Sequence, residues 1–448
     1  MKFLFSHLFL YFTFIGSSRS ILDDNAKYLD LSKDFKNAKN LNKSQGSQVV
    51  LEKAKSKPNI LSTLVIEHGK IVTSYSRDGV DPHEPQPIWS ATKSITSLLI
   101  GTMLDEGTLA SVNETLGEIF PNQSVWVGIE DADDIKAITI QDLLTMSSGL
   151  SWEFNWLTLY KSVPPCGGLN VRETLTMYKY DPTYKGVWQY LPLSKILSFV
   201  MFERTGKTPK QLLSERFLPY LGIKESEMDW KANTLYDGRG DHANLDFSIS
   251  PYYDPEKVDP DNIDTLPFGV ECSGPEAAFV QLHLNVYQMA KFGQLVLAGG
   301  ISGPDGHVVI SSEYIDAALS ESLQVAERLP EDFGNLTGIT YGYLWWNNHD
   351  GPGFDDLPED TWCAIGNDSQ IICVNFTNDR VSVQLADLEG VEGSPLWSHD
   401  PDEPAFVAMT RGLDFSNFSS SKSVKSGSKS TKKSKSWEYP RHLRKRRL

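Results

Sequence analysis

The pattern of apolar and polar positions predicts strands near both ends of the chain and helices in between. Two short apolar runs, 64–67 and 70–75, flank His68-Gly69 and predict a β-hairpin. Further strands are predicted late in the chain, where apolar runs lie at 341–346, 362–365, 370–375 and 381–385. The pattern therefore predicts one antiparallel sheet assembled from distant parts of the chain, with a helical region inserted between them.

The helical region begins with a helix predicted from Ser90 to Glu106. This run carries apolar residues at helical spacing and is followed by Gly107, a common helix stop. Four further helices are predicted, at Ile140–Ser147, Leu193–Thr205, Pro209–Leu221 and Gly274–Ala298. The segment 21–57 is rich in Asn, Asp, Lys and Ser, and we expect a loosely ordered lead-in there.

The first twenty residues have the pattern of a secretory signal peptide. Lys2 gives a positive start, 3–15 is mainly apolar, and 16–18 supplies small residues for cleavage. The apolar run is shorter than the roughly 20 residues that a membrane-spanning helix needs. We therefore expect removal of 1–20 and delivery to the extracellular space or an endomembrane lumen.

Seven Asn-x-Ser/Thr sequons agree with that route. They start at Asn42, Asn113, Asn122, Asn335, Asn367, Asn375 and Asn417. All except Asn367 are candidate glycosylation sites, because a glycan at Asn367 would crowd the cleft that we expect between the sheet and the helical region.

Four cysteines in a secreted chain predict disulfide bonds, with three possible pairings. Cys363 and Cys373 flank the turn-rich stretch 366–369, and a hairpin there would place them opposite each other. This favours Cys363–Cys373 together with Cys166–Cys272, although four unpaired thiols remain the alternative.

Charge is unevenly distributed along the chain. From residue 411 to the end, twelve lysines and arginines stand against two acidic residues, so this part carries +10 and the remainder carries −26. An acidic body argues against a nucleic-acid partner. The Ser/Lys-rich segment 413–448 has too few apolar residues to fold, and we expect a disordered basic tail. A solvated tail is the simplest interpretation, and contact with an anionic matrix or surface is the alternative.

The central chemical motif is Ser90-Ala91-Thr92-Lys93. A serine at the start of a helix and a lysine three residues later lie on one face, so the amine can reach the hydroxyl. Burial in a closed cleft would lower the pKa of the amine toward the range useful for a base. Ser-x-x-Lys occurs often by chance, so its surroundings decide its meaning.

Those surroundings resemble the serine β-lactamase-related family. This family includes class C β-lactamases, D-Ala-D-Ala carboxypeptidases, several esterases and 6-aminohexanoate-dimer hydrolases. The similarity covers roughly 61–385 and rests on Ser90–Lys93 and on the stretches 138–150, 274–295 and 341–346.

The resemblance implies a catalytic set of Ser90, Lys93 and Tyr190. Tyr190 corresponds to the tyrosine of the family's Tyr-x-Asn motif, but Pro192 stands where the asparagine is expected. The family's third motif, which is Lys-Thr-Gly or His-x-Gly in many members, corresponds here to Ala364-Ile365-Gly366 and so has no cation. With Gln370 nearby, this form is similar to the dimer-hydrolase and esterase branch of the family. The oxyanion would be held by backbone N–H groups of Ser90 and of a residue near Gly366 and Asn367.

The implied fold is the β-lactamase/transpeptidase-like α/β (α+β) architecture. It consists of an antiparallel sheet of about five strands flanked by helices, plus an all-helical lobe. We expect the domain over 58–412, with the lobe at about 108–300. The implied function is hydrolysis of a small-molecule ester or amide through a Ser90 acyl-enzyme, and no metal or cofactor is implied. A catalytically inactive binding protein and a true β-lactamase or D-Ala-D-Ala carboxypeptidase are the alternatives.

Overall fold

A computed structural model describes most of the expected domain. The described residues are 28–151, 171–176, 178–230, 275–276, 278–320, 323–324, 340–347, 360–366 and 369–387. The predicted signal peptide, the basic tail, Cys166, Cys272, Asn335, Asn367 and Asn417 lie outside them.

The strands in chain order are β1 Lys36–Asn37, β2 Ile60–Glu67, β3 Lys70–Ser76, β4 Gln86–Pro87, β5 Ser148–Ser151, β6 Lys179–Lys185, β7 Asp229–Trp230, β8 Leu282–Leu284, β9 Ile301–Ser302, β10 His307–Val308, β11 Leu323–Gln324, β12 Thr340–Tyr341, β13 Trp346–Asn347, β14 Thr361–Gly366, β15 Gln370–Asn375 and β16 Arg380–Ala386. The α-helices are α1 Gln45–Ser56, α2 Thr92–Asp105, α3 Leu116–Ile119, α4 Ala132–Lys136, α5 Ile140–Leu144, α6 Val171–Leu175, α7 Ser194–Thr205, α8 Pro209–Arg216, α9 Leu218–Leu221, α10 Val286–Leu297 and α11 Ser312–Ser320.

The central sheet joins the two ends of the domain, as the apolar pattern predicts. Its order is β1-β3-β2-β16-β15-β14-β13-β12-β11, and every pair of neighbours is antiparallel except β1 with β3. The five strands that are neighbours at the centre of the sheet, β3, β2, β16, β15 and β14, have six to eight residues each. Four two-residue strands extend the sheet at its edges. The expected five-stranded sheet therefore forms the centre of a nine-stranded one.

Helices cover both faces of this sheet because side chains alternate along each strand. On β2, Leu64 and Ile66 belong to the main hydrophobic core, whereas Val65 packs with Val50 and Ala54 of α1. Helix α10 packs against β15 and β16, and α2 is buried from Thr92 to Met103. The chain thus has the β-lactamase/transpeptidase-like fold.

The lead-in expected to be loosely ordered is ordered from residue 28 to 57, which corrects that prediction. Helix α1 begins at the N-cap Ser44, whose hydroxyl accepts the Ser47 N–H, and it buries Val50 and Ala54. Leu31 is fully buried in the main core. The polar composition of this segment concealed the few apolar residues that fix it.

The lobe expected to be all-helical also contains strands, a second correction. β5 pairs with β6, and β4, β8 and β7 form a small three-stranded sheet. The predicted helix Gly274–Ala298 begins only at Val286, where Asn285 caps it, and β8 precedes it. Within the described residues no helix has the length and apolar composition needed to cross a membrane.

Two predictions about the late part of the chain, one for a disulfide-bonded hairpin and one for a strand, have different outcomes. Cys363 and Cys373 face each other across β14 and β15 and form a disulfide bond, as predicted. The run 341–346 is a tight hairpin rather than one strand, because β12 and β13 pair with each other around Leu344, which has φ +62°. A buried turn and a buried strand have the same apolar composition, so the sequence does not distinguish them.

Candidate active site

Ser90 lies on a 3₁₀ turn, Trp89–Ala91, that leads directly into α2. The turn bends sharply, with Trp89 at φ +48°, a conformation that is costly for a residue with a bulky side chain. Its turn bonds are donated by the N–H groups of Ala91 and Thr92. The Ser90 N–H is therefore not used by the turn.

Lys93 follows Ser90 by one helical turn and reaches back to it. Its Nζ lies 2.8 Å from Ser90 Oγ and 3.1 Å from the carbonyl oxygen of Phe279. Lys93 is only 3% exposed, and burial lowers its pKa from the ordinary 10.5 to about 7. A substantial fraction of the amine is consequently neutral near pH 7 and able to accept a proton.

Tyr190 approaches the same serine from the segment before α7. Its hydroxyl is hydrogen-bonded to Ser90, and Lys93 Nζ lies 4.9 Å from the centre of its ring. Burial raises the pKa of Tyr190 to about 12, although the bond with Ser90 opposes the shift. The phenol remains protonated at neutral pH, so Lys93 rather than Tyr190 is suited to act as the base.

Three buried aromatic residues fix the orientation of the Tyr190 ring. The centroid of Tyr190 lies 5.5 Å from that of Trp346, 6.0 Å from that of Trp188 and 6.3 Å from that of Tyr341. These three side chains are at most 4% exposed. They form the wall behind Tyr190.

The end of β14 lies directly against the turn that carries Ser90. A Cβ atom at Gly366 would stand 2.2 Å from the Ile88 carbonyl oxygen, so only glycine permits this approach. The third motif is thus brought beside the nucleophile, as the sequence predicts. Asn367, the other oxyanion candidate, lies outside the described residues.

Two positions of the family pattern contribute no polar side chain to the site. Ala364 and Ile365, which correspond to the start of the third motif, are buried apolar residues on β14. Pro192 has no side-chain amide. Gln370, which the sequence places nearby, is occupied elsewhere, since its amide donates to and accepts from the backbone of Ala386.

The carbonyl of Phe279 is a part of the site that sequence reasoning missed. A backbone acceptor leaves no mark in a sequence, and the segment was predicted to be helical. Lys195 was also missed, although a lysine inside the apolar run 193–201 is a visible anomaly. It is 2% exposed and donates to the carbonyl oxygen of Pro275 at 2.8 Å.

Within the described part of the chain, no group of acidic, histidine and cysteine residues has the arrangement of a metal site.

Comparison with known proteins identifies the family of the chain. The family model for β-lactamase matches residues 59–395, and the chain belongs to that family. Solved structures that bear the names of a class C β-lactamase, a penicillin-binding protein homologue and a hydrolase share its fold. No curated protein sequence matches the chain significantly.

Three solved structures illustrate the range of proteins that share this fold. A protein from Bacillus anthracis that bears the name of a 6-aminohexanoate-dimer hydrolase has a TM-score of 0.53 at 17% identity, covering 81% of this chain and 84% of its own. EstCE1, a hydrolase with promiscuous acyltransferase activity, has a TM-score of 0.53 at 14% identity, covering 82% and 97%. A class C β-lactamase has a TM-score of 0.52 at 13% identity, covering 78% and 93%. At these identities the similarity extends to the fold and not to the substrate.

Proposed function

We propose that this protein hydrolyses an ester or amide through an acyl-enzyme formed on Ser90. The observation that carries the proposal is the 2.8 Å contact between Ser90 Oγ and the buried amine of Lys93. A hydroxyl becomes a competent nucleophile when a neutral base takes its proton during attack. Lys93 combines the required distance with a pKa of about 7.

In the acylation step, the Ser90 proton moves to Lys93 Nζ as Oγ attacks the substrate carbonyl. The negative charge on the carbonyl oxygen is held by backbone N–H groups, including that of Ser90. Tyr190 donates its proton to the leaving oxygen or nitrogen as the carbonyl bond to it breaks, and the protonated Lys93 amine, 4.9 Å from the centre of the Tyr190 ring, then returns a proton to the phenolate. In deacylation a water molecule loses a proton to Lys93 as it attacks the ester, and Lys93 gives that proton to Ser90 Oγ as the carbonyl–Oγ bond breaks and the acid is released.

We propose that the preferred acyl group is uncharged. The third-motif cation that would pair with a substrate carboxylate is replaced by Ala364, and the amide expected after Tyr190 is replaced by Pro192. Both differences argue against a true β-lactamase or D-Ala-D-Ala carboxypeptidase, whose substrates carry a carboxylate and an acylamino group. We also propose that the protein is exported after removal of 1–20, which N-terminal sequencing of material from a culture medium would test.

The test is hydrolysis of short-chain p-nitrophenyl esters and of a chromogenic cephalosporin, with intact-mass detection of an acyl adduct. We expect ester turnover and an adduct in the wild type, and neither in Ser90→Ala. Ser226→Ala is a matched control because Ser226 is an exposed serine on another 3₁₀ helix, Glu225–Glu227, and belongs to no sequon. Folded wild-type protein without turnover or adduct would favour the inactive binding protein, and faster cephalosporin cleavage would favour a β-lactamase.

A further inference from the structure

The Phe279 carbonyl belongs to a backbone segment that two helices hold by side-chain hydrogen bonds. We call the described residues 275–276 and 278–280 the anchored segment. From α7, Lys195 donates to the Pro275 carbonyl at 2.8 Å and Ser198 donates to the Glu276 carbonyl at 2.9 Å. From α2, Thr96 donates to the Ala278 carbonyl at 2.7 Å, and Lys93 to that of Phe279.

The last of these bonds bears on the chemistry of Lys93. A neutral amine has two N–H groups and a single lone pair, and only the lone pair can accept the Ser90 proton. When one N–H is directed at the Phe279 carbonyl, the amine is held with its lone pair free to face Ser90 Oγ. A displaced carbonyl would leave the amine free to rotate, so the position of the anchored segment affects the base directly.

Lys195 is costly to bury and is bound by few partners. It is 2% exposed, its Nζ lies 5.1 Å from the centre of the Phe199 ring, and burial lowers its pKa, which the nearby Glu276 carboxylate partly opposes. A buried amine destabilises a fold relative to an apolar side chain of similar length. A function other than packing would account for its presence.

The rest of the anchored segment shows how a change at Lys195 reaches Phe279. Ser198, one turn after Lys195 on the same face of α7, also accepts the Ala278 N–H at 3.3 Å. The Glu276 carboxylate accepts from Thr208 Oγ1 and from the Lys210 N–H at the start of α8. Only three residues lie between Pro275 and Phe279, so the position of the first end of the segment limits where the second end can lie.

We propose that Lys195 is a positioning residue for the reaction at Ser90. It fixes the start of the anchored segment, and through the segment it keeps the Phe279 carbonyl at the amine of Lys93. The inference rests on the proposed function, because it concerns the orientation of the proposed base. It does not place Lys195 in contact with a substrate.

The test compares Lys195→Met, which keeps the length of the side chain but removes the donor, with Lys291→Met. Lys291 is a matched control because it is a buried lysine on α10 whose Nζ donates to a carbonyl, that of Leu221, at 2.7 Å. The readouts are ester turnover and the rate at which a fluorophosphonate labels Ser90. We expect Lys195→Met to lose about 10- to 100-fold in kcat and in labelling rate with KM nearly unchanged, since small misplacements of catalytic groups have effects of this size. Lys291→Met should retain the wild-type rates.

Thermal unfolding of each variant shows whether it is folded. If Lys195→Met does not fold, Ser198→Ala provides the test, because it removes a smaller contact to the same segment, and we expect a loss of about 3- to 10-fold. Wild-type rates in folded Lys195→Met, or an equal loss in Lys291→Met, would overturn the positioning role and leave the proposed function intact. Absence of turnover and labelling in the wild type would overturn both.

Discussion

Gly366 and Ile88 are in contact through backbone atoms, at the point where the central sheet meets the nucleophile turn. The space that a Cβ would need at Gly366 is occupied by the Ile88 carbonyl, 2.2 Å away. Ile88 immediately precedes the turn that carries Ser90. The position of Ser90 relative to β14 therefore depends on the absence of a Cβ atom at residue 366.

We expect Gly366→Ala to separate β14 from the nucleophile turn. Because the clashing atom belongs to the backbone, the strand or the turn must shift, which should cost about 1–3 kcal/mol of stability and lower kcat about 10- to 100-fold. Gly222→Ala is the control, since a Cβ there would stand 2.1 Å from the Ser32 carbonyl oxygen, outside the site. It should lose stability and retain activity in the folded fraction. Equal activity loss in both variants would contradict the role of the Gly366 contact.

The pH dependence of turnover should report the titration of Lys93. The base must be neutral, so activity should be low below pH 6 and rise through an apparent pKa of about 7. The titratable side chain in contact with Lys93 is Tyr190, whose pKa of about 12 leaves a plateau above pH 8. Initial rates between pH 5 and 10 on one ester measure this profile. A bell-shaped curve that declines before pH 9 would show that another group limits the rate.

A third expectation concerns the sequons. Asn113 and Asn122 are exposed, whereas Asn375 is 5% exposed and its Nδ2 donates to Asp360 and Thr361. This corrects the inclusion of Asn375 among the glycosylation candidates, because a glycan on Nδ2 would remove one of the two donated hydrogens and would need space that a buried side chain does not have. After secretion from a eukaryotic host, mass spectrometry of enzymatically deglycosylated peptides should show glycans at Asn113 or Asn122. A glycan at Asn375 in folded protein would contradict the structure.

Local patterns in the sequence predicted the local features of the fold and the reacting pair. The hairpin at His68-Gly69 has both residues at positive φ, which suits its tight turn, and the Cys363–Cys373 pairing follows from the spacing around one turn. Ser90 and Lys93 lie on one helical turn, so their contact also follows from spacing alone.

Contacts between distant segments account for what could not be predicted. The anchored segment has apolar residues typical of a helix, yet side chains from α2 and α7 hold its carbonyls in a different conformation. The order of the lead-in likewise depends on Leu31, Val50 and Ala54 meeting strands further along the chain. One sequence shows which residues are apolar but not which partners they meet.

The last prediction concerns the stability cost of the proposed base. Because the pKa of Lys93 is about 7 in the folded protein and 10.5 as its ordinary value, the unfolded chain binds more protons between these values. The wild type should therefore gain stability as pH rises from 7 toward 10.5, and below 7 the full cost of burying the amine is present.

We expect Lys93→Met to abolish turnover while raising the free energy of unfolding at pH 7 by about 1–3 kcal/mol, a range that allows for the lost bonds to Ser90 and Phe279. Urea unfolding followed by tryptophan fluorescence at pH 7 and pH 9.5 measures the difference, which should be smaller at the higher pH. If Lys93→Met is less stable than the wild type at pH 7, the hydrogen bonds of Lys93 stabilise the fold by more than the burial of its amine destabilises it, and the expectation is wrong.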